Sequence, residues 1–479
     1  MPANNSAKPN TPFNFSLKAF AERSFLLISS SILRLSVQLI IIFIYSRQLS
    51  VIDYGIYQSV WLYVNVISII SLFGLPSLIL STSLLQITLW IKQRLKLFTA
   101  IALFVNLLPV VYVLYSTTTY NYTIKLLMIA LVAVQNLSVI TETIAIKNKK
   151  EKIVLASNLI FSAGFLIGHL YIIYTGYLLS QVLTCILVML IVKILVLLFF
   201  GKNKITKIIE TSETVILKEW LYLGINDVLG VLFKWLDKWV ILFFVSISQF
   251  ALYFNGSYEI PIFGLMLSAV GNIMLVDLSG KKEISVIKVK QIFNHSTLML
   301  ASIVFPAFCF LLFYNFEFFT FIFSNKYVEA IPIFIICLFV LPLRITNFTA
   351  VLQSYKRSDL IVKGAAIDLL TAIILMIILY PVLELKGLAL AFVLSTYVQA
   401  AYYLWHTGKL INKPVSYFFP FKKLLLIMLV SITTIACGYL LLRIFIYPYN
   451  FIGGIITCSI LILYLLWYNY RKGLRAAAE

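Results

Sequence analysis

The sequence predicts an all-α polytopic membrane protein of about fourteen transmembrane helices, arranged as two pseudo-symmetric six-helix bundles plus two C-terminal helices. Composition carries the first part of that expectation. Of 479 residues, 62% are hydrophobic and 12% charged, with a mean hydropathy of +1.00, a balance outside that of water-soluble domains. The second observation is a series of apolar runs, each near the roughly 20 residues that cross about 30 Å of hydrocarbon. The third is where the positive charge falls. A formal charge of +20 gathered on one face or tail would mark a nucleic-acid binder. Here the lysines and arginines recur in short clusters between apolar runs, so nucleic acid is excluded as a partner.

The first seven runs cover 24–45, 56–80, 95–115, 122–145, 152–174, 177–199 and 220–245. The second seven cover 249–275, 291–313, 328–352, 360–381, 386–407, 421–446 and 450–470. Barrel strands would be about ten residues long and alternating, and nothing here alternates. Taken from the N-terminal tail, alternate gaps and their edges hold 28 basic residues, among them Lys92, Arg94 and Lys96, then Lys147, Lys149, Lys150 and Lys152. The intervening gaps hold five: Arg47, Lys125, Lys326, Lys386 and Arg443. Basic loops stay in the cytoplasm, so this alternation calls for an even helix count with both termini inside. The first run carries Arg34 at its centre and no small-residue cleavage site follows it, so it reads as a retained helix and not a cleaved signal peptide. Cys185, Cys309, Cys337, Cys437 and Cys458 show no CxxC or Cys/His metal spacing and read as packing residues, with neither disulfide nor metal implied.

The polar stretch 201–219 marks a seam. On that division 1–23 is a cytoplasmic tail, 24–200 a first six-helix lobe, 201–219 a cytoplasmic linker and 220–407 a second lobe. Residues 408–470 then carry helices thirteen and fourteen, and 471–479 form a cytoplasmic tail. Two internal matches cross the seam. Leu49-Ser50-Val51-Ile52-Asp53-Tyr54-Gly55-Ile56-Tyr57 aligns with Val245-Ser246-Ile247-Ser248-Gln249-Phe250-Ala251-Leu252-Tyr253, and Gly176-Tyr177-Leu178-Leu179-Ser180 aligns with Gly387-Leu388-Ala389-Leu390-Ala391. Both place helix one on helix seven and helix six on helix twelve. Six is even, so the repeat is of the parallel kind, and transporters place their sites at such repeat interfaces.

An ionisable residue at mid-membrane depth costs at least about 2.5 kcal/mol on insertion scales, so it faces a wet cavity or a partner. On helix one, Ser24, Ser31, Arg34, Gln38 and Tyr45 form a polar stripe. Arg34 is either a structural residue bonded to carbonyls or a cavity-facing cation for an anionic substrate. On helix seven, Asn226, Asp227, Gly230, Lys234, Asp237 and Lys238 share one face; Lys234 stands three residues from Asp237, within reach of an intrahelical pair. Asp227 has no basic residue within four positions on its helix, and a buried unpaired carboxylate binds a cation or holds a proton. Helix ten carries Arg344 and Asn347, and helix eleven Asp368, which is available to pair with Arg344. Glu259 and Lys193 read as shallower, Lys193 snorkelling to the cytoplasmic surface. His169, His295 and His406 are scattered and read as neither ligands nor a proton relay. Pro76, Pro109, Pro261, Pro306, Pro332 and Pro342 are expected to bend their helices. The deep charges, Arg34, Lys234, Lys238 and Arg344 against Asp227, Asp237 and Asp368, leave a positive bias that repels a cationic drug and attracts a pyrophosphate or acidic sugar.

Ser46-Arg47-Gln48-Leu49 with Asp53-Tyr54-Gly55-Ile56-Tyr57 resembles the segment after the first helix in polysaccharide-lipid flippases of the O-antigen translocase (Wzx-type) family, and Gly387-Leu388-Ala389-Leu390-Ala391-Phe392-Val393-Leu394-Ser395 resembles their helix-twelve start. The resemblance implies the multidrug/oligosaccharidyl-lipid/polysaccharide exporter (MOP) superfamily and transport of undecaprenyl-diphosphate-linked oligosaccharide to the outer leaflet of the bacterial cytoplasmic membrane by alternating access. It implies a transporter, not an enzyme, without a resident cofactor. In the related lipid II flippases a sodium ion sits among helices seven, eleven and twelve. Asp227 and Asp368 fall on the first two, with Thr371, Ser395 and Thr396 as further oxygens, so Na+ or H+ is the expected coupling ion and no other metal is expected. Arg34, Lys234, Lys238 and Arg344 would hold the diphosphate or acidic sugars. Arg34 stands where multidrug exporters often carry an acid, which sets drug efflux behind. The implied partners are the anionic lipid-linked oligosaccharide, membrane lipids and polysaccharide polymerase machinery, for a protein acting as a monomer. A multidrug or metabolite antiporter of the same fold is the alternative. A membrane glycosyltransferase or polymerase stands third, because the outer gap near residues 314–328 holds too few carboxylates for a catalytic cluster.

Overall fold

The computed structural model describes residues 17–82, 84–116, 120–200, 213–279, 285–355 and 357–478. The start of the N-terminal tail and most of the expected linker 201–219 lie outside the described residues, as do the side chains of Ser24, Ser31, Asn226 and Lys234. The first half of the chain forms α1 (Leu17–Gln48), α2 (Val51–Leu72), α3 (Leu75–Ser81), α4 (Leu84–Gln93), α5 (Leu95–Ser116), α6 (Tyr122–Lys147), α7 (Glu151–Thr175), α8 (Leu179–Phe200) and α9 (Glu213–Phe244). Next come α10 (Ile247–Gly256), α11 (Pro261–Ser279), α12 (Val286–Phe313), α13 (Asn315–Phe323), α14 (Ile331–Leu338), α15 (Ala350–Ser354) and α16 (Ser358–Leu410). The chain ends in α17 (Val415–Phe418), α18 (Phe421–Leu442) and α19 (Tyr449–Ala478). No strand occurs among the described residues. Every expected span coincides with a helix or a run of consecutive helices. Eight described helices are long and apolar enough to cross a membrane, and α10 with α11 makes a ninth, bent candidate. The fold is that of a polytopic, multi-pass membrane protein.

Helix α16 is two antiparallel spans. Glu384 breaks it at φ 49° and ψ −131°. The Tyr403 hydroxyl donates to the Ile361 carbonyl at 2.9 Å across 42 residues, which in one straight helix would lie about 63 Å apart. Three other expected spans are broken and not merely bent. Proline has no N–H to give the preceding turn but fits a first helical turn. Pro261 accordingly opens α11 after a gap that turns it 49° from α10. Pro332 opens α14 and Pro342 a 3-10 turn, Leu341–Ile345, so helix ten is three short pieces. Phe73 and Gly74, both at positive φ, separate α2 from α3. A Cβ on Gly74 would run into the backbone of Gly224, so only glycine lets these two segments meet there. Helices α4 and α13 fill stretches that read as loops, and the 3-10 turn Asn325–Ala330 leads into the tenth span.

Contacts divide the chain into two compact units, residues 1–41 with 63–230 and residues 42–62 with 231–479. In the first, α8 buries Val182, Leu183, Ile186, Leu190, Ile194 and Leu197 on one helical face against α6 and α7. Trp220 packs among Phe73, Trp90 and Phe98 with ring centroids 5.5–6.0 Å apart. In the second unit, α12 is the buried hub. Helices α18 and α19 pack against it: Asn469 Nδ2 donates to Ser302 Oγ at 2.7 Å, and Tyr314 meets Tyr439 at 5.0 Å. The last two spans thus serve to cover α12.

Candidate functional site

In the first unit a carboxylate absent from the sequence-based expectation organises the charged cluster. Glu142, on α6, takes the Lys193 ammonium from α8 at 2.6 Å. Its other oxygen accepts from Asn158 Nδ2 of α7 at 3.1 Å and faces the Arg34 guanidinium of α1 at 3.8 Å. Asn158 also donates to Ser30 Oγ at 2.8 Å, one turn before Arg34 on α1. Lys193 does not snorkel: its side chain is 6% exposed, because a carboxylate at its own depth removes the need to reach water. Arg34 is half-exposed. Asp227, on the same unit's portion of α9, accepts from Ser77 Oγ at 3.1 Å.

In the second unit, Asp237 pairs with Lys238 at 3.3 Å and accepts from the Tyr253 hydroxyl at 3.3 Å. The partner expected for Asp237, Lys234, has its side chain outside the described residues. Arg344 pairs with Glu259 at 3.1 Å, and not with Asp368. The break before Pro261 places Glu259 in a helix-free stretch, free to reach the 3-10 turn that carries Arg344. A small, partly open cleft lies beside this pair, lined by Ser257, Tyr258, Cys337 and Phe392 among others. Asp368 lies near the Ser395 hydroxyl. That hydroxyl donates to the Phe392 carbonyl at 3.0 Å, as the Thr396 hydroxyl does at 2.8 Å, and Thr371 is half-buried on the Asp368 helix. Among the described residues, neither Asp227 nor Asp368 has an ion-pair partner, and no group of His, Cys, Asp and Glu forms a metal cluster.

The segment carrying the D-Y-G-x-Y element belongs wholly to the second unit, and its residues have distinct tasks. Ser50 caps α2, accepting from the Asp53 N–H at 3.0 Å while its hydroxyl donates to the Asp53 carboxylate at 2.6 Å. Its repeat counterpart Ser246 caps α10 in a reciprocal box with Gln249. Tyr54 and Tyr57 are buried in a ring cluster with Tyr45 and Tyr327. A Cβ on Gly55 would lie 2.8 Å from the Ile247 carbonyl and 3.1 Å from Cβ of Ala251, its own repeat counterpart. Gln58 Nε2 donates to buried Asn255 Oδ1 at 2.6 Å. Alongside, Arg47 gives its guanidinium to the Thr320, Phe321 and Ile322 carbonyls at 3.3, 2.6 and 3.2 Å, closing the C-terminal end of α13. Lys326 returns bonds to the Arg47 and Leu49 carbonyls at 2.5 and 3.0 Å.

Fold and site together define a multi-pass membrane protein with buried, partly matched charge clusters. Among solved structures the chain is similar to one described as the lipid II flippase MurJ in an inward closed conformation, with a TM-score of 0.68 and 18% identity over 94% of this chain and 99% of that one. No protein-family model matches the sequence, and no curated protein matches it.

Proposed function

We propose that this chain is a flippase of the MOP superfamily. In this reading it carries an undecaprenyl-diphosphate-linked oligosaccharide, an O-antigen, capsule or exopolysaccharide repeat, from the inner to the outer leaflet of the bacterial cytoplasmic membrane. It acts by alternating access between the two lobes 24–200 and 220–407, with both termini in the cytoplasm, and performs no chemistry on its cargo. Arg34, Lys234 and Arg344 engage the diphosphate or acidic sugars, whereas Lys238, expected beside them, is held by Asp237 in an enclosed pair. Asp227 and Asp368, with Thr371, Ser395 and Thr396, bind Na+ or H+, whose gradient drives the return step. The observation that carries the anionic cargo is the excess of cation around Glu142: two basic side chains share one carboxylate, and the half-exposed one, Arg34, keeps its donors for a ligand. A cationic drug would meet that guanidinium first. The likeness to a lipid-linked-substrate flippase supports the transport class, and the lack of any ion-pair partner for the two aspartates among the described residues supports their coupling role.

The test is translocation of a fluorescent undecaprenyl-diphosphate oligosaccharide in proteoliposomes. Wild-type protein should flip it and Arg34→Ala should lose at least about tenfold in rate, the cost of one charge-assisted contact. An Arg34→Ala protein that flips at the wild-type rate overturns the assignment. Asp368→Asn should remove dependence on the ion gradient while leaving cargo binding intact.

A further inference from the structure

Glu142 holds its two cations unequally. Lys193 is buried and takes one carboxylate oxygen at 2.6 Å. Arg34 stands 3.8 Å from the other, with a side chain 44% exposed, and donates no hydrogen bond among the described residues. The carboxylate is fixed in place by Asn158, a wholly buried side chain that ties it to Ser30 on the Arg34 helix. A carboxylate only 14% exposed requires a close cation. Lys193 meets that requirement, so Arg34 does not have to.

From this geometry we infer that Lys193 is a positioning residue for anion recognition: by saturating Glu142 it keeps the Arg34 guanidinium open for the diphosphate of the cargo. The inference rests on the reading of Arg34 as a cargo contact and adds what controls it. Without Lys193, the Glu142 carboxylate has Arg34 as its nearest cation, and the planar guanidinium closes onto it in a two-bond fork. The same Arg34 is then present but occupied. Removing the carboxylate as well as the ammonium opens it again. A residue that merely supports packing has no such non-additive pattern.

The experiment measures the affinity of the detergent-solubilised full chain for farnesyl diphosphate, with farnesol as the uncharged control, at matched folded fraction. The readout is the ratio of the two affinities, which a general loosening of the fold does not move. Lys193→Met should lower that ratio by about tenfold or more. The double variant Lys193→Met/Glu142→Gln should restore it to within about threefold of wild type, within a single partial contact. Lys193→Arg, which keeps the cation, should leave it unchanged. If Arg34→Ala lowers the ratio while Lys193→Met does not, the positioning role is wrong and the cargo reading stands. If Lys193→Met and the double variant are equally weak, Lys193 acts through packing and the inference falls. If Arg34→Ala itself binds as wild type, the cargo reading falls and takes this inference with it.

Discussion

The charged clusters of the two units are built on opposite balances. Around Glu142 two cations share one carboxylate, and the surplus charge resides on the half-exposed arginine. In the second unit Lys238 has Asp237 and Arg344 has Glu259, one acid for each of these two bases. The difference separates what a buried charge does for the fold from what it offers a ligand. A matched, enclosed pair such as Asp237 with Lys238 is committed. An unmatched or open member still has hydrogen-bond capacity to give. Within the second unit the two pairs differ again: the side chains of Asp237 and Lys238 are 7% and 12% exposed, those of Glu259 and Arg344 58% and 33%.

The sharpest way to break the comparison is to remove an acid from the enclosed pair. Asp237→Ala strands the Lys238 ammonium and takes the Tyr253 hydroxyl's acceptor with it. Loss of one partner of a buried pair costs about 3–5 kcal/mol, so thermal unfolding in detergent should fall far below wild type. Asp237→Asn/Lys238→Met, which removes both charges, should recover most of the loss. An unchanged midpoint for Asp237→Ala would mean that water reaches the pair and that the two units do not differ as described.

Next in size is the close approach at Gly55. Gly55→Val places branched carbon against the Ile247 carbonyl and Ala251, and overpacking of this kind costs about 1–3 kcal/mol. The lowered unfolding midpoint should be eased by no enlargement at Ala251, since that residue faces the same gap. A Gly55→Val protein as stable as wild type would show that α2 and α10 are free to part.

These positions also mark how far the sequence could be read. Span positions were legible because twenty apolar residues have one solution in a bilayer, all backbone bonds closed within a helix. The interruptions were not. Pro261, Pro332 and Pro342 announced a disturbance, but a bend and a break share the same residue, and tertiary contacts decide between them. Helix α4 is not legible as a span although Ile87 and Trp90 recur at helical spacing and are buried, because ten residues are too short to cross a membrane. Glu142 is hidden for a different reason. It sits three residues inside the end of its apolar run, where a carboxylate reads as interfacial, and only the meeting of α6 with α8 reveals its partner. Lys193, which the sequence places as snorkelling, is buried by the same meeting. By contrast, the D-Y-G-x-Y element stood out in sequence because each of its residues is tied to a separate constraint: a cap, a ring cluster and a backbone approach.

A smaller effect is expected at Arg47. Its guanidinium bonds three successive carbonyls at the end of α13 and stacks 3.6 Å over the Phe43 ring. Arg47→Ala should leave the fold intact but loosen 42–50 and 315–323 together, with amide exchange there rising about tenfold, as when one charged hydrogen-bonding group is lost from a locally opening segment. Exchange that rises in only one of the two segments would show that Arg47 does not join them.

The smallest stability effect is predicted for the open pair. Arg344→Ala leaves a Glu259 side chain that is already 58% exposed, so the unfolding midpoint should move by less than about 1 kcal/mol equivalent. Under the proposed function the same substitution should still weaken cargo binding, because the arginine borders the cleft with Ser257, Tyr258 and Phe392. Measured side by side, Asp237→Ala should unfold early and Arg344→Ala should fold normally yet bind diphosphate lipid poorly. A large stability loss for Arg344→Ala would move its pair into the same structural class as Asp237 with Lys238. Arg34 would then be the described cation best placed to meet a cargo.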